Sequence, residues 1–428
     1  FNIHEHKMGT PTMGGLLIIL ATLAAAFLFC DLRNSYVWIV AAVMFCASGL
    51  GFADDFLKVA RKDHRGVSAR TKLFVQALLG CALGAFLFFS RPHTVYGPLL
   101  LKAADIQDVE KLARRLQGEE DSVARFLRSR FSMATCRMID ACDGVASPSV
   151  SLRASLALEF NRILTGRCIY EERRFRSVNL TGEARERLDW YLSGNAAGTH
   201  ARLNRYLLES AFPGMIAGNT LKRGDTFLLV PFFKQYYPYL GLLFIPWAAL
   251  ILMCMSNSVN LTDGLDGLAI GTVITVSLPY LLICYLVSRY DYASYLYVPH
   301  VPQAGQLAVF LSALVGASMG FLWFNSHPAE VFMGDTGSLS LGAAIGSVAL
   351  LCKHELLLIL VGGIFLIEAL SVILQVAGYR LFSKRILLMS PLHNHFVKKG
   401  MDEAKIIARF LIVATLLAMA GLSTLKLR

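Results

Sequence analysis

Asn260-Leu-Thr-Asp-Gly-Leu-Asp-Gly267 closes one apolar run, Leu240 to Met255, and opens another, Leu268 to Val287. Two carboxylates, Asp263 and Asp266, therefore stand where a pair of membrane helices meets water. An ionisable residue in that position is a functional candidate by default. Read alone, the stretch could equally be a polar turn whose Asp and Gly residues face solvent. Three further segments tip the balance: Gly51-Phe-Ala-Asp-Asp55, Val331-Phe-Met-Gly-Asp-Thr-Gly337 and Pro391-Leu-His-Asn-His395. Each sets acids or histidines beside an apolar run.

Composition agrees with a membrane reading. The chain is 55% hydrophobic and 17% charged, with mean hydropathy +0.53, too apolar for a soluble globule of 428 residues. About nine stretches reach or approach the roughly 20 residues that cross a hydrocarbon core. They fall near 13–30, 37–53, 73–90, 239–256, 268–287, 305–323, 338–352, 355–378 and 405–423. The expected fold is an all-α polytopic membrane protein. Net charge of +11 and a pI near 9.2 then mark cytoplasmic loops and contact with anionic lipid or phosphate. No basic run with interleaved aromatics points to nucleic acid. The nine cysteines are scattered, several inside apolar runs (Cys30, Cys46, Cys81, Cys254), and show neither metal spacing nor a disulfide framework.

Basic residues orient the spans. Lys58, Arg61, Lys62, Arg65, Arg70 and Lys72 crowd one short loop, and Arg380 to Arg409 carries a similar excess, so both are expected to be cytoplasmic. Counting spans from there puts the Lys7 segment, the 257–267 turn and the 325–337 loop on the same side. All the acidic and histidine motifs thus converge on one membrane face. Ser288 to Gly305 is expected on the other.

Between the third and fourth spans, 102–223 turns rich in Arg, Glu and Asp, with apolar residues at helical spacing (Ile106, Val109, Leu112, Leu116; Leu203, Tyr206, Leu207). It reads as a small helical domain outside the cytoplasm, since long domains translocate largely regardless of charge. Thr94–Leu101 and Thr226–Phe233 are expected to pair as a β-hairpin carrying it. The organisation expected is 1–91, N-terminal membrane helices; 92–235, the hairpin with its insertion; and 236–428, C-terminal membrane helices. Phe1 to Lys7 is neither a signal peptide nor a span, and the chain reads as trimmed at its start.

The converging face suggests phosphate chemistry. Asp54, Asp55, Asp263, Asp266 and Asp335 crowd near Lys7, Lys58 and Lys72. Carboxylates brought together repel unless a cation intervenes, and hard oxygen ligands suit Mg²⁺ with substrate phosphate. Lysines supply charge to phosphate oxygens. Phosphoryl transfer at a membrane surface follows.

These motifs resemble, in order, a known family. His4-Glu-His-Lys-Met-Gly-Thr-Pro-Thr-Met-Gly-Gly15, Gly51 to Lys58, Asn257 to Gly267, Asn325 with Pro328 to Leu339, and Ser371-Val-Ile-Leu-Gln375 with Pro391-Leu-His-Asn-His-Phe396 are similar to the phospho-N-acetylmuramoyl-pentapeptide-transferases, within the polyprenyl-phosphate N-acetylhexosamine-1-phosphate transferase superfamily. The resemblance covers 1–101 and about 224–428 and excludes the insertion. It implies transfer of phospho-MurNAc-pentapeptide from UDP-MurNAc-pentapeptide to undecaprenyl phosphate, with Mg²⁺, giving lipid I and UMP in the bacterial cytoplasmic membrane. It also implies ten spans, the first of which is expected to lie upstream of Phe1, and it admits a homodimer.

By matching motif, the resemblance makes Asp335 the Mg²⁺ ligand and sets Asp54 or Asp55 to act on the lipid phosphate, as base or as covalent nucleophile. Lys7, Thr12, Asn260, Asp263, Asp266, Asn325 and Phe332 match the nucleotide pocket, with Phe332 against uracil. Lys58 and Lys72 are placed on diphosphate, and Gln375 falls among the substrate residues. Three consecutive histidines are common in the family where this chain has His393-Asn394-His395. Asn cannot carry a proton near neutral pH, so a histidine role falls on His393, then on His395. Two other readings stay open: a relative using another UDP-HexNAc, and a transporter with intramembrane acids, against which the acids gather at one face and no inverted repeat is evident.

Overall fold

The computed structural model describes residues 11–61, 66–89, 109–118, 122–141, 226–233, 238–289 and 298–426, with isolated positions between 152 and 160 and between 292 and 296. The chain divides into two compact units: 1–94 with 225–289 and 301–428, and 95–224 with 290–300. In chain order, the first unit contributes α1 (Gly15–Phe29), α2 (Ser35–Arg61) and α3 (Ala69–Phe89). The second contributes α4 (Val109–Gln117), α5 (Ser122–Arg130) and α6 (Met133–Asp140). The first resumes with α7 (Phe244–Thr262), α8 (Leu268–Ser288), α9 (Ala304–Asn325) and α10 (Gly334–Leu351). It ends with α11 (Leu358–Val361), α12 (Gly363–Phe382), α13 (Leu392–Lys398) and α14 (Glu403–Thr424).

Among the described residues, seven helices are long and apolar enough to cross a membrane: α2, α3, α7 with its preceding turn, α8, α9, α12 and α14. The chain is accordingly a polytopic membrane protein. Exposed Leu28, Phe29, Phe45, Trp323 and Ile373 belong to an apolar outer surface that lipid can cover. The expected stretch at 13–30 forms the shorter apolar α1. The stretch expected at 355–378 is not one helix. A 3-10 turn at Glu355–Leu357 leads into α11, and the helix breaks at Gly362 before α12 begins. Paired glycines carry the poorest helix propensity short of proline, and a Cβ on Gly363 would stand 2.8 Å from Leu417 of α14. Hydropathy registers neither effect.

α10 is the axis of the first unit. Every residue from Thr336 to Leu351 is buried, with α2, α7 and α1 packed around it. Its sequence explains why. Gly, Ala and Ser let backbones approach closely, as membrane helices require in the absence of a hydrophobic drive between them. A Cβ at Gly51 of α2 would lie 2.3 Å from the Asp335 carbonyl oxygen, and one at Gly342 would lie 2.5 Å from that of Met255 in α7. The hydroxyls of Ser338, Ser340 and Ser347 donate to carbonyls three or four residues back, so none is left unbonded in an apolar setting. A polar chain ties three helices together: Asn257 Nδ2 donates to Gln76 Oε1 at 2.6 Å, Gln76 Nε2 to Ser256 Oγ at 3.0 Å, and Ser256 Oγ to the Leu339 carbonyl at 2.9 Å. Bonds of this kind are worth about 0.6 kcal/mol each in a membrane, and at most about 1.7.

In the second unit, Val109, Leu112 and Leu116 line one face of α4, as their spacing predicts, and are buried with Leu127, Ile139 and Phe160. Ser132 caps α6 by accepting from Thr135 N–H, and Glu159 Oε1 accepts from Ser132 N–H at 2.8 Å. Leu203, Tyr206 and Leu207 lie outside the described residues, as does Thr94–Leu101, the expected partner of Thr226–Phe233. Within the first unit Phe227 makes an isolated antiparallel bridge to Tyr239. No longer strand occurs among the described residues.

Candidate active site

Three helix ends meet at one point. Asp54, Asp55 and Lys58 share the last turns of α2, Lys72 lies in the first turn of α3, and Asp335 opens α10 ahead of its apolar stretch. Lys58 Nζ stands 2.6 Å from Asp54 Oδ2 and 3.2 Å from Asp335 Oδ2, and Lys72 Nζ stands 2.9 Å and 2.6 Å from the same two oxygens. Two ammonium groups therefore bridge two carboxylates from helices far apart in sequence. The remaining oxygens are also held. Asp54 Oδ1 accepts from Val67 N–H at 2.6 Å, and Asp335 Oδ1 accepts from Asn260 Nδ2 at 2.8 Å.

Asp55 is turned differently. Its Oδ2 accepts from both the N–H (2.9 Å) and the hydroxyl (2.7 Å) of Thr336, and its Oδ1 from Asp335 N–H at 3.3 Å. It thus caps the N-terminus of α10 from another helix, an arrangement that the helix dipole favours. Neighbours in sequence, Asp54 faces the lysines and Asp55 faces the backbone.

Burial works against ionisation of Asp335, but its contacts with the Asp54 carboxyl, Lys72 and Asn260 outweigh it and hold its carboxyl well below the usual range. Asp54, Asp55 and Asp335 can each present one oxygen with all three within 4.8 Å of one another. Such a hard-oxygen set fits a small divalent cation. Asp335 would hold it, with Asp54 beside it across the lysines and Asp55 already committed to α10.

The 263–267 turn lies between this centre and a second group. On one side Asn260 reaches Asp335. On the other, a Cβ at Gly264 would fall 2.2 Å from His393 Nε2, so only glycine admits the imidazole there. His393, on α13, is 1% exposed. Its N–H donates to Glu368 Oε1 at 3.2 Å, and its Nδ1 lies 3.2 Å from Glu368 Oε2. Glu368 is fully buried in α12 and lies in none of the family-like motifs. A lone acid in Gly363-Ile-Phe-Leu-Ile-Glu-Ala-Leu370 was a readable signal.

The other expected residues divide into two sets. Asn325 Oδ1 accepts from Gly267 N–H at 3.0 Å while its Nδ2 donates to the Val331 carbonyl at 2.7 Å, clamping two loops. Asp266 Oδ2 lies 3.2 Å from His327 Nδ1 and accepts from Ala329 N–H at 3.2 Å. Asp263 is the half-buried residue after α7. Phe332, half-buried, bonds through its backbone to Pro11 and Gly14, which brings exposed Thr12 alongside. Lys7 lies outside the described residues. Gln375 and His395 are engaged elsewhere: Gln375 bonds the backbone of Ile386 and Leu387, and His395 Nδ1 accepts from Leu388 N–H at 3.1 Å. Both hold the 386–388 loop in place.

Comparison with known proteins adds a second line. The profile described as "Glycosyl transferase family 4" matches residues 205–353. A phospho-N-acetylmuramoyl-pentapeptide-transferase of Citrifermentans bemidjiense is 36% identical over 99% of this chain and 82% of its own length. Its counterpart in Geobacter sp. strain M21 matches to the same degree. That of Pelobacter propionicus is 35% identical over the same shares.

Proposed function

The chain belongs to the phospho-N-acetylmuramoyl-pentapeptide-transferase family, and from that premise we propose that it moves phospho-MurNAc-pentapeptide from UDP-MurNAc-pentapeptide to undecaprenyl phosphate. The products are lipid I and UMP, at a membrane, in peptidoglycan synthesis. The observation that carries the chemistry is the double bridge of Lys58 and Lys72 across Asp54 and Asp335.

In this reading a phosphate oxygen of the carrier lipid attacks the sugar-linked phosphorus of the nucleotide. A P–O bond forms to the lipid, the pyrophosphate P–O bond breaks, and UMP departs with its electrons. Asp54 accepts the proton of a monoprotonated lipid phosphate, because its Oδ2 faces the lysines while both Asp55 oxygens are spent on α10. The lysines release Asp54 and Asp335 to hold phosphate oxygens as charge develops there. Asp335 would hold Mg²⁺, which would supply charge neutralisation to the diphosphate. Asp263, Asp266, Asn325, Phe332, Thr12 and Lys7 form the nucleotide side. His393, fixed by Glu368, borders it across Gly264, and Gln375 and His395 act by positioning the 386–388 loop.

The finer architecture belongs to the same reading: nine spans, an inserted helical domain at 102–223 outside the cytoplasm, and the carboxylate centre on the cytoplasmic face. The test is UMP release by the protein in detergent. It should require Mg²⁺, UDP-MurNAc-pentapeptide and undecaprenyl phosphate together, and should be lost in Asp335→Asn. Equal turnover by that variant removes the metal assignment. Preference for UDP-GlcNAc in competition would move the substrate to another UDP-HexNAc.

A further inference from the structure

A second, chemically distinct feature lies in the C-terminal part of the first unit. Between α12, α13 and α14 runs a groove of about 250 Å³ whose walls include Ile367, Phe396, Phe410 and Val413, with Arg409 as the charged residue among them. Its floor is a packed cluster that includes Leu265, Ile364, Ile406 and Ala414. The break at Gly362 starts α12 beside α14, and beyond its first turn α12 buries little except Glu368, Ser371 and Gly378. The helix thus stands off from its neighbours, and the space between them is apolar.

Two observations say what covers it. α12 and α14 both meet the length and hydropathy of membrane spans, so the medium over their outward faces is hydrocarbon, and a dry apolar hollow offers water no partners. The rim, by contrast, is cationic. Lys405 and Arg409 are exposed and one helical turn apart, with Val413 a further turn along the same stripe. Exposed Lys398 ends α13 after Phe396, and exposed Lys399 follows it. The nearby acids are engaged: Asp402 caps α14 through Lys405 N–H, and Glu403 lies 3.8 Å from His327. Over two turns, one face of α14 passes from positive charge to bare hydrocarbon, a graded surface that matches a phosphate with an alkyl chain behind it.

We propose that this groove binds one anionic phospholipid, its phosphate at Arg409 and Lys405 and an acyl chain along Phe396 and Phe410. α14 contributes no residue to the carboxylate centre, so the site is separate from the carrier-lipid phosphate of the proposed reaction.

Native mass spectrometry of the full chain in detergent tests it, titrating phosphatidylglycerol against phosphatidylcholine with identical acyl chains. The expected result is a single tightly held phosphatidylglycerol, favoured by about tenfold, in line with two basic groups near one phosphate. Arg409→Gln with Lys405→Gln should abolish the preference while weak binding of both lipids persists. Val413→Trp, which fills the groove, should reduce binding of both. The exposed double variant keeps the test decisive even where the tryptophan variant misfolds. Equal affinity for the two lipids, a preference that survives the double variant, one-for-one displacement by undecaprenyl phosphate, or occupation by a co-purifying protein would each overturn the proposal.

Discussion

The two ends of α10 both carry charge, and they are built on opposite plans. At its N-terminus Asp335, 18% exposed, shares one oxygen with two lysines that are themselves partly open, at 17% and 37%. Beyond its C-terminus Lys353, at 2%, and Glu355, at 1%, pair at 3.4 Å in the interior, with the ammonium 4.3 Å from the Phe244 ring centroid. There Tyr280 donates to the His354 carbonyl at 2.8 Å, and His354 Nδ1 lies 2.8 Å from that of Cys352. Both clusters suit the helix dipole, acid at the positive end and cation at the negative end. The difference is access. Partners that solvent and ligand can reach can be exchanged, whereas a sealed pair can only hold the structure. Charge density alone does not identify a catalytic centre in a membrane protein.

Substitutions at the two ends should separate accordingly. Asp335→Asn should lower UMP release by about a thousandfold, comparable with removal of a key electrostatic group elsewhere, while leaving the melting temperature nearly unchanged. A large loss of thermal stability in that variant would erase the contrast. Glu355→Ala should do the reverse: breaking a buried pair costs about 3 kcal/mol, read as a lower melting temperature in detergent, with turnover per folded molecule retained. Thr336→Val probes the boundary, since it removes the hydroxyl bond to Asp55 but keeps the N–H bond. It should cost about 1 kcal/mol of stability and a modest part of the rate, both measured on one preparation. Gln375→Ala should raise KM more than it lowers kcat, because it loosens the 386–388 loop without touching a reacting atom; a kcat effect alone would count against the positioning role. Asn394→His should have the smallest effect. Asn394 is 9% exposed and its Oδ1 has no hydrogen-bond partner, so restoring the family's histidine run is expected to change turnover by less than about threefold, well under 1 kcal/mol.

Much of this was readable before any coordinates. Apolar runs located most of the helices, and the order of motifs identified the family. What escaped was relational. No spacing rule connects Asp55 with Thr336, which are 281 residues apart, so the different tasks of Asp54 and Asp55 were invisible in the Asp-Asp pair. The bonds of Gln375 to Ile386 and Leu387 have no sequence signal either, because an amide's partners depend on where a distant loop passes. The Gly362–Gly363 break was hidden by a hydropathy average that counts glycine as neutral. Glu368, by contrast, is legible as a lone acid inside an apolar helix.

The Asp55 contact with α10 also constrains how the protein is made. α2 leaves the ribosome long before α10 exists, so Asp54, Asp55 and Lys58 must wait at the end of a nascent span while the intervening polypeptide is synthesised. Until Thr336 arrives, half of the charge constellation has nothing to dock against. A chain arrested anywhere before α10 would therefore be inert, and maturation of the centre is a late event in biogenesis.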